Sequence, residues 1–186
     1  MLSFFFLMLI LYVWRGWRRK SWEPQKIKIK IPFTDNEIEI VPNHEVVKIA
    51  HQARIELLTR KAGLPFEEDN DVIVEVYDSW YKLFGEIRAL TKAISAHHLT
   101  KSTDAQCLSD TLIHLLNSGL RPHLTRWQAR FRRWYAAKLA KHPDKSPQEI
   151  QQLYPQYQAL VDDLKTVNDE LVKFAEELKV IAYGRR

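Results

Sequence analysis

The opening seventeen residues constrain this chain more than any other stretch. Met1 to Trp14 read MLSFFFLMLILYVW, in which Ser3 is the one polar side chain and nothing is charged. Arg15, Arg18, Arg19 and Lys20 follow at once. A secretory signal peptide has its positive charge ahead of the apolar run and a small-residue cleavage site behind it. Here the charge comes after the run, and no such site follows. The pattern predicts a single-pass helix over 1–17, with its N-terminus outside and the main domain held on the cytoplasmic side by the basic stop. Phe4, Phe5, Phe6 and Leu9 are the residues expected in membrane lipid, with Tyr12 and Trp14 at the interfacial level.

Seventeen helical residues reach only about 25 Å, against a hydrocarbon core of about 30 Å. A span this short thins the bilayer, snorkels its flanking cations, or associates with copies of itself. The expectation is therefore a homo-oligomer.

Residues 18–25 read as a linker. Lys26 to Ile31 then alternate Lys and Ile, and Glu37 to Val41 alternate again after the polar turn Thr34-Asp35-Asn36. A period of two marks half-buried strands. The pair predicts a β-hairpin over 26–41, lysines opposite glutamates, packed on helices or on a neighbouring subunit because a lone hairpin is marginal.

Residues 43–186 read as a helical bundle. Asn43 can cap a helix that runs to about Ala62 and stops at Gly63. Its expected apolar face is Val47, Ala50, Leu57 and Leu58, with Arg54 alongside. Glu67, Glu68, Asp69 and Asp71 crowd the start of the next helix, which suits the positive end of the helix better than it suits a metal. That second helix runs from about Val72 to Ile94 over a stripe of Val76, Trp80, Leu83, Phe84, Ile87 and Leu90. A third covers Asp104 to Ser118, before a break at Gly119 and Pro122. A fourth covers His123 to Ala140. Ser146, Pro147 and Glu149 form a helix start, with Pro155 as a kink or the true beginning of a fifth helix reaching Tyr183. The fold class is mainly α: a transmembrane helix, a short β-hairpin and about five bundled helices.

Net charge is +5, yet Arg121 to Lys145 alone holds eight basic residues against Asp144, a local +7. The basic character is confined to that segment. Arg126, Arg130 and Arg133 fall on one helical face, Lys141 extends it, and Arg121 and Lys138 add to the basic set. Arginine matches phosphate oxygens two at a time, so these six are the candidate phosphate-binding residues. Trp127 and Trp134 are candidates for stacking unpaired bases. The expected ligand is a nucleotide or single-stranded oligonucleotide. A solvated surface helix, or a helix lying on anionic lipid, are the other readings of the same residues.

No catalytic constellation stands out. Walker loop, Gly-rich dinucleotide turn, G-x-S-x-G and HExxH are all missing from the sequence, and scattered carboxylates such as Glu75, Asp78 and Glu86 suit a helix surface. Adjacent His97 and His98 point to different helical faces. The lone Cys107 reads as a small buried hydrophobe. The expectation is a non-enzyme without metal or cofactor. His142-Pro143-Asp144 resembles the loop signature of J-domain co-chaperones, but the leading helix of that domain and its aromatic-leucine-glycine pattern are missing.

Gly119 to Tyr135, together with His51 to Ile73 and Tyr77 to Arg88, resembles small membrane effectors of bacterial anti-phage defence, such as the membrane subunit of the Hailong system. That resemblance implies a bacterial inner-membrane location, a nucleotidyltransferase partner, and an oligonucleotide that controls a membrane channel. The alternative is a membrane-anchored adaptor that holds a cytoplasmic partner through its helical domain.

Overall fold

The computed structural model describes residues 26–184. The predicted anchor and linker, with Phe4, Phe5, Phe6, Leu9, Tyr12 and Trp14, lie outside the described residues. Among the described residues no helix is long and apolar enough to cross a membrane.

The chain is mainly helical, with one small sheet. Strands β1 (Ile27–Lys30) and β2 (Glu37–Ile40) pair antiparallel, Ile27 opposite Ile40 and Lys28 opposite Glu39. Alternation puts Ile29 and Ile40 into the core and leaves the lysines and glutamates outside. Lys26 and Lys28 both approach Glu39, at 3.4 and 3.8 Å. Exposed pairs of this kind add a few tenths of a kcal/mol, so they set register more than stability.

Helices follow as α1 (His44–Leu58), α2 (Ile73–Ala93), α3 (Ala96–Lys101), α4 (Thr103–His114), α5 (Arg121–Leu139), α6 (Pro147–Gln152) and α7 (Tyr157–Tyr183). Asn43 caps α1 as expected, its side chain accepting from the Val46 N–H. The helix stops at Leu58 rather than Ala62, because Gly63 turns back so tightly that its N–H reaches the Leu57 carbonyl. The buried face of α1 is Val46, Ile49, Ala50, Ala53 and Leu57, one step round from the face expected. α2 matches its expected span to within a residue.

Two short helices were not anticipated. α3 is capped by Ser95. α6 carries the capping box of Ser146 and Glu149, but it ends at Gln152, and the long helix α7 begins only after Pro155. Proline cannot donate to a preceding turn, which separates the two.

The expected break at Gly119 and Pro122 is absent. α4 passes through a wide helical turn, Leu115–Leu120, straight into α5. The Arg121 N–H reaches back five residues to the Leu116 carbonyl. A turn of this width accommodates Pro122, which has no N–H to offer and whose ring crowds the carbonyl a turn back.

α7 forms the spine. Leu160, Leu164, Val167, Leu171, Phe174 and Leu178 are buried along it, the 3–4 spacing legible in the sequence. Trp80, Tyr77, Phe131 and Leu83 close the core from α2 and α5. Two buried amides stitch loops to this core. Asn168 donates to the carbonyls of Ala62 and Leu64 and accepts from the Phe66 N–H. Gln151 donates to the Asp71 carbonyl and accepts from the Ile73 N–H. The acidic residues before α2 fold into this loop, not onto the helix end. Asp71 accepts from the Glu67 N–H and pairs with Lys61 at 3.0 Å, and Glu68 pairs with Lys165.

Candidate phosphate-binding face

α5 sorts its residues by depth. His123, Trp127, Phe131 and Tyr135, four apart, are buried. Arg126, Arg130 and Arg133 face solvent together. Successive steps of four and three residues raise them by about 6 and 4.5 Å. Among the described residues no carboxylate comes within ion-pair distance of these three arginines, nor of Lys138 or Lys141. Lys138 is half-buried and Lys141 exposed.

The other basic residues of the helix are engaged. Arg132 pairs with Asp78 of α2. Arg121 lies over the Phe84 ring at 5.0 Å and donates to Asn117. Arg121, a candidate phosphate-binding residue from the sequence, therefore belongs to the α2 flank and stands apart from the Arg126, Arg130 and Arg133 group. Arg126 lies over the Trp127 ring at 4.9 Å. That contact holds its guanidinium without neutralising it.

The aromatic half of the expectation needs correction. Trp127 is only 3% exposed, and its indole N–H donates to Asp163 at 2.7 Å. It has no open face for a base. Trp134 is half-buried against Phe131 and Tyr154, the latter edge-on at 5.0 Å. Both rings cement the core, because residues three, four and seven apart share one face of a helix, and here that face turns inward.

Sequence reasoning missed a polar network beneath the face. His123, 2% exposed, donates or accepts at both ring nitrogens: Nδ1 meets Asp163 at 2.7 Å and Nε2 meets the Tyr77 hydroxyl at 3.2 Å. The same Asp163 oxygen takes the Trp127 N–H. A carboxylate that accepts from both neighbours fixes His123 with its proton on Nδ1 and its Nε2 open to the tyrosine O–H. Burial pushes the imidazole below its ordinary range, opposed by the Asp163 hydrogen bond and charge. Burial, then the Asp163 charge, pushes the Tyr77 hydroxyl up. The set has the order of a catalytic relay, yet the Tyr77 oxygen at its end is sealed in the core. A cleft of about 220 Å³ lies elsewhere, between β1 and α7, lined by Lys30, Ile31, Pro32, Glu170, Lys173, Phe174 and Glu177. The one hint in the sequence was His123 itself, a polar residue in the buried phase of the 123-127-131-135 series.

Among the described residues no three His, Cys, Asp or Glu side chains gather as metal ligands. Cys107 is partly buried in α4, its thiol pushed up by burial and by Asp104 and Asp110. His142, Pro143 and Asp144 form the turn between α5 and α6.

Compared with known protein families, curated proteins and solved structures, the chain matches none.

Proposed function

We propose that this chain is a non-enzymatic, oligomeric effector of the bacterial inner membrane, tethered by Met1 to Trp17, whose pore-forming or membrane-perturbing action is gated by a nucleotide or oligonucleotide bound on the arginine face of α5. The observation that carries the proposal is the uncompensated charge of Arg126, Arg130 and Arg133. Ordinary solvated faces mix signs, whereas this one leaves three guanidinium groups without a carboxylate among the described residues. The resemblance to small membrane effectors of bacterial anti-phage defence, and the nucleotidyltransferase partner it implies, supply the biological setting.

The position of the face favours a soluble ligand over the lipid next to the anchor. Ile27 pairs with Ile40, and the Val41 N–H donates to Asp104 at the start of α4. The described chain thus begins beside the first turn of the run that leads through α4 and α5. The run stays helical throughout, with Leu115, Leu120 and Arg121 all in the right-handed helical region, so it does not double back, and α2 lies antiparallel along α5, with Asp78 at Arg132 and Phe84 at Arg121. Its path from Thr103 to Lys141 is on the order of 50 Å. Eight linker residues, fully extended, reach about 28 Å. The C-terminal half of α5 lies far along that run from Lys26, where the described residues begin, which supports a ligand taken from solution.

Fluorescence anisotropy of full-length protein in detergent with a labelled single-stranded oligonucleotide tests the reading. Arg126→Glu, Arg130→Glu and Arg133→Glu together should remove binding, while vesicles of anionic lipid should not compete for it. Unchanged affinity in the triple variant would sink the proposal. Depolarisation of cells that express the intact chain tests the membrane half.

A further inference from the structure

We infer that the α5 face recognises its ligand as a chain of phosphates and leaves the bases unread. This inference rests on the phosphate-binding reading above and narrows it to a ligand class. Sequence-tolerant binding of unpaired strands usually joins a basic groove to aromatic rings on which bases stack. The basic part is present here, and among the described residues the ring part is not. Trp127 is buried with its N–H taken, and Trp134 is packed on Phe131 and Tyr154.

Among the described residues the most exposed large aromatic, Tyr81 at 70%, stands on the wrong side. It falls midway between Asp78 and Phe84 on α2, the two residues that meet Arg132 and Arg121. Tyr81 therefore overhangs the flank of α5 marked by Arg121 and Arg132. Arg126, Arg130 and Arg133 lie about 120° to 180° around the helix from Arg121, at 100° per residue. A base stacked on Tyr81 would leave the arginine face empty. What that face offers is a ladder of guanidinium groups a few ångströms apart in rise. Each donates in a fork that fits the paired oxygens of one phosphate. Phosphodiester and polyphosphate chains share that chemistry.

The experiment uses full-length protein in detergent and five probes: oligodeoxyadenylate, oligodeoxythymidylate and oligodeoxycytidylate of one length, an abasic strand of the same length, and inorganic polyphosphate as competitor. All four strands should bind within about threefold of one another, and polyphosphate should displace them. Trp134→Leu and Tyr81→Ala should leave every affinity unchanged. Base stacking at even one position would weaken the abasic strand by roughly 5- to 150-fold. A weaker abasic strand, a clear base preference, or failure of polyphosphate to compete overturns this inference and leaves the phosphate-binding reading standing. Binding by none of the probes overturns both.

Discussion

The Phe33 ring lies on the bare Cα of Gly119. A Cβ at position 119 would sit 2.7 Å from Phe33 Cδ2 and closer still to the two ring atoms beyond it. Phe33 itself holds a left-handed backbone, φ 62°, at the tip of the hairpin, and its N–H donates to Glu170 of α7. A phenylalanine accepts that conformation only where its ring gains more by packing than the backbone loses. The hairpin is thereby clasped to both the wide turn and the spine.

Gly119→Ala should destabilise the domain by about 1–3 kcal/mol, since the ring must leave its seat. Phe33→Ala in the same background should recover part of the loss, because the clash disappears with the ring. Urea titration of the four members of this double-mutant cycle measures the coupling, and strict additivity would show that the two residues do not constrain each other.

Asp163→Ala should cost roughly 3 kcal/mol, because His123 Nδ1 and Trp127 Nε1 would both lose their acceptor inside the protein. Asp163→Asn keeps one acceptor oxygen and should lose less. Chemical denaturation followed by tryptophan emission reports both variants, and equal losses would mean that the carboxylate acts by charge alone.

His123 predicts a pH dependence whose sign follows from its burial. The folded imidazole resists protonation, while in the unfolded chain it protonates near pH 6.5. The unfolded state then binds more protons, so stability rises with pH across this interval. The contribution is present above about pH 6.5 and is lost as pH falls toward the lower folded value. His123→Gln preserves a donor for Asp163 and an acceptor for Tyr77 without titrating. Melting curves at about pH 7.5 and about pH 5.5 should lie further apart for wild type than for the variant, by at most about 1.4 kcal/mol per pH unit. Parallel behaviour would show that His123 is not the group responsible.

On binding, the slope of log affinity against log salt should fall by about 2 when Arg126, Arg130 and Arg133 are all neutralised to Gln, since each phosphate contact on a single strand contributes about 0.7. Lys138→Gln should change the slope less, because Lys138 is half-buried beside the face. An unchanged slope in the triple variant would place the contacts elsewhere.

Asn168→Ala should detach the loop 62–66 from α7 and cost about 2–3 kcal/mol. Hydrogen exchange at the Phe66 amide is the direct readout. Retained protection there would show that the amide has found another partner.

Local patterns in the sequence carried much of this architecture. The Lys–Ile and Glu–Ile alternation fixes the hairpin and its register, and the 3–4 steps of Leu160 to Leu178 fix the buried side of α7, because both depend on residues close in sequence. The arginine face was legible for the same reason. What escaped was long-range. Nothing near Trp127 announces that Asp163, far along the chain, will claim its N–H, so an aromatic read as a stacking surface became a core residue. Nothing near Gly119 announces Phe33. A glycine and a proline three residues apart usually end a helix, and only the ring lying against position 119 explains why this glycine was needed inside one.

The wide turn at Leu115–Leu120 also sets a phase. Each residue added to or taken from a helix rotates everything beyond it by about 100°. Deleting Ser118, an exposed position in that turn, would tighten it and turn α5 as a rigid screw. Trp127 would swing away from Asp163, and guanidinium groups would be driven toward the core. Residue count within six positions therefore decides which surface this domain shows to its surroundings, and a family of such chains would tolerate substitutions there far more readily than indels.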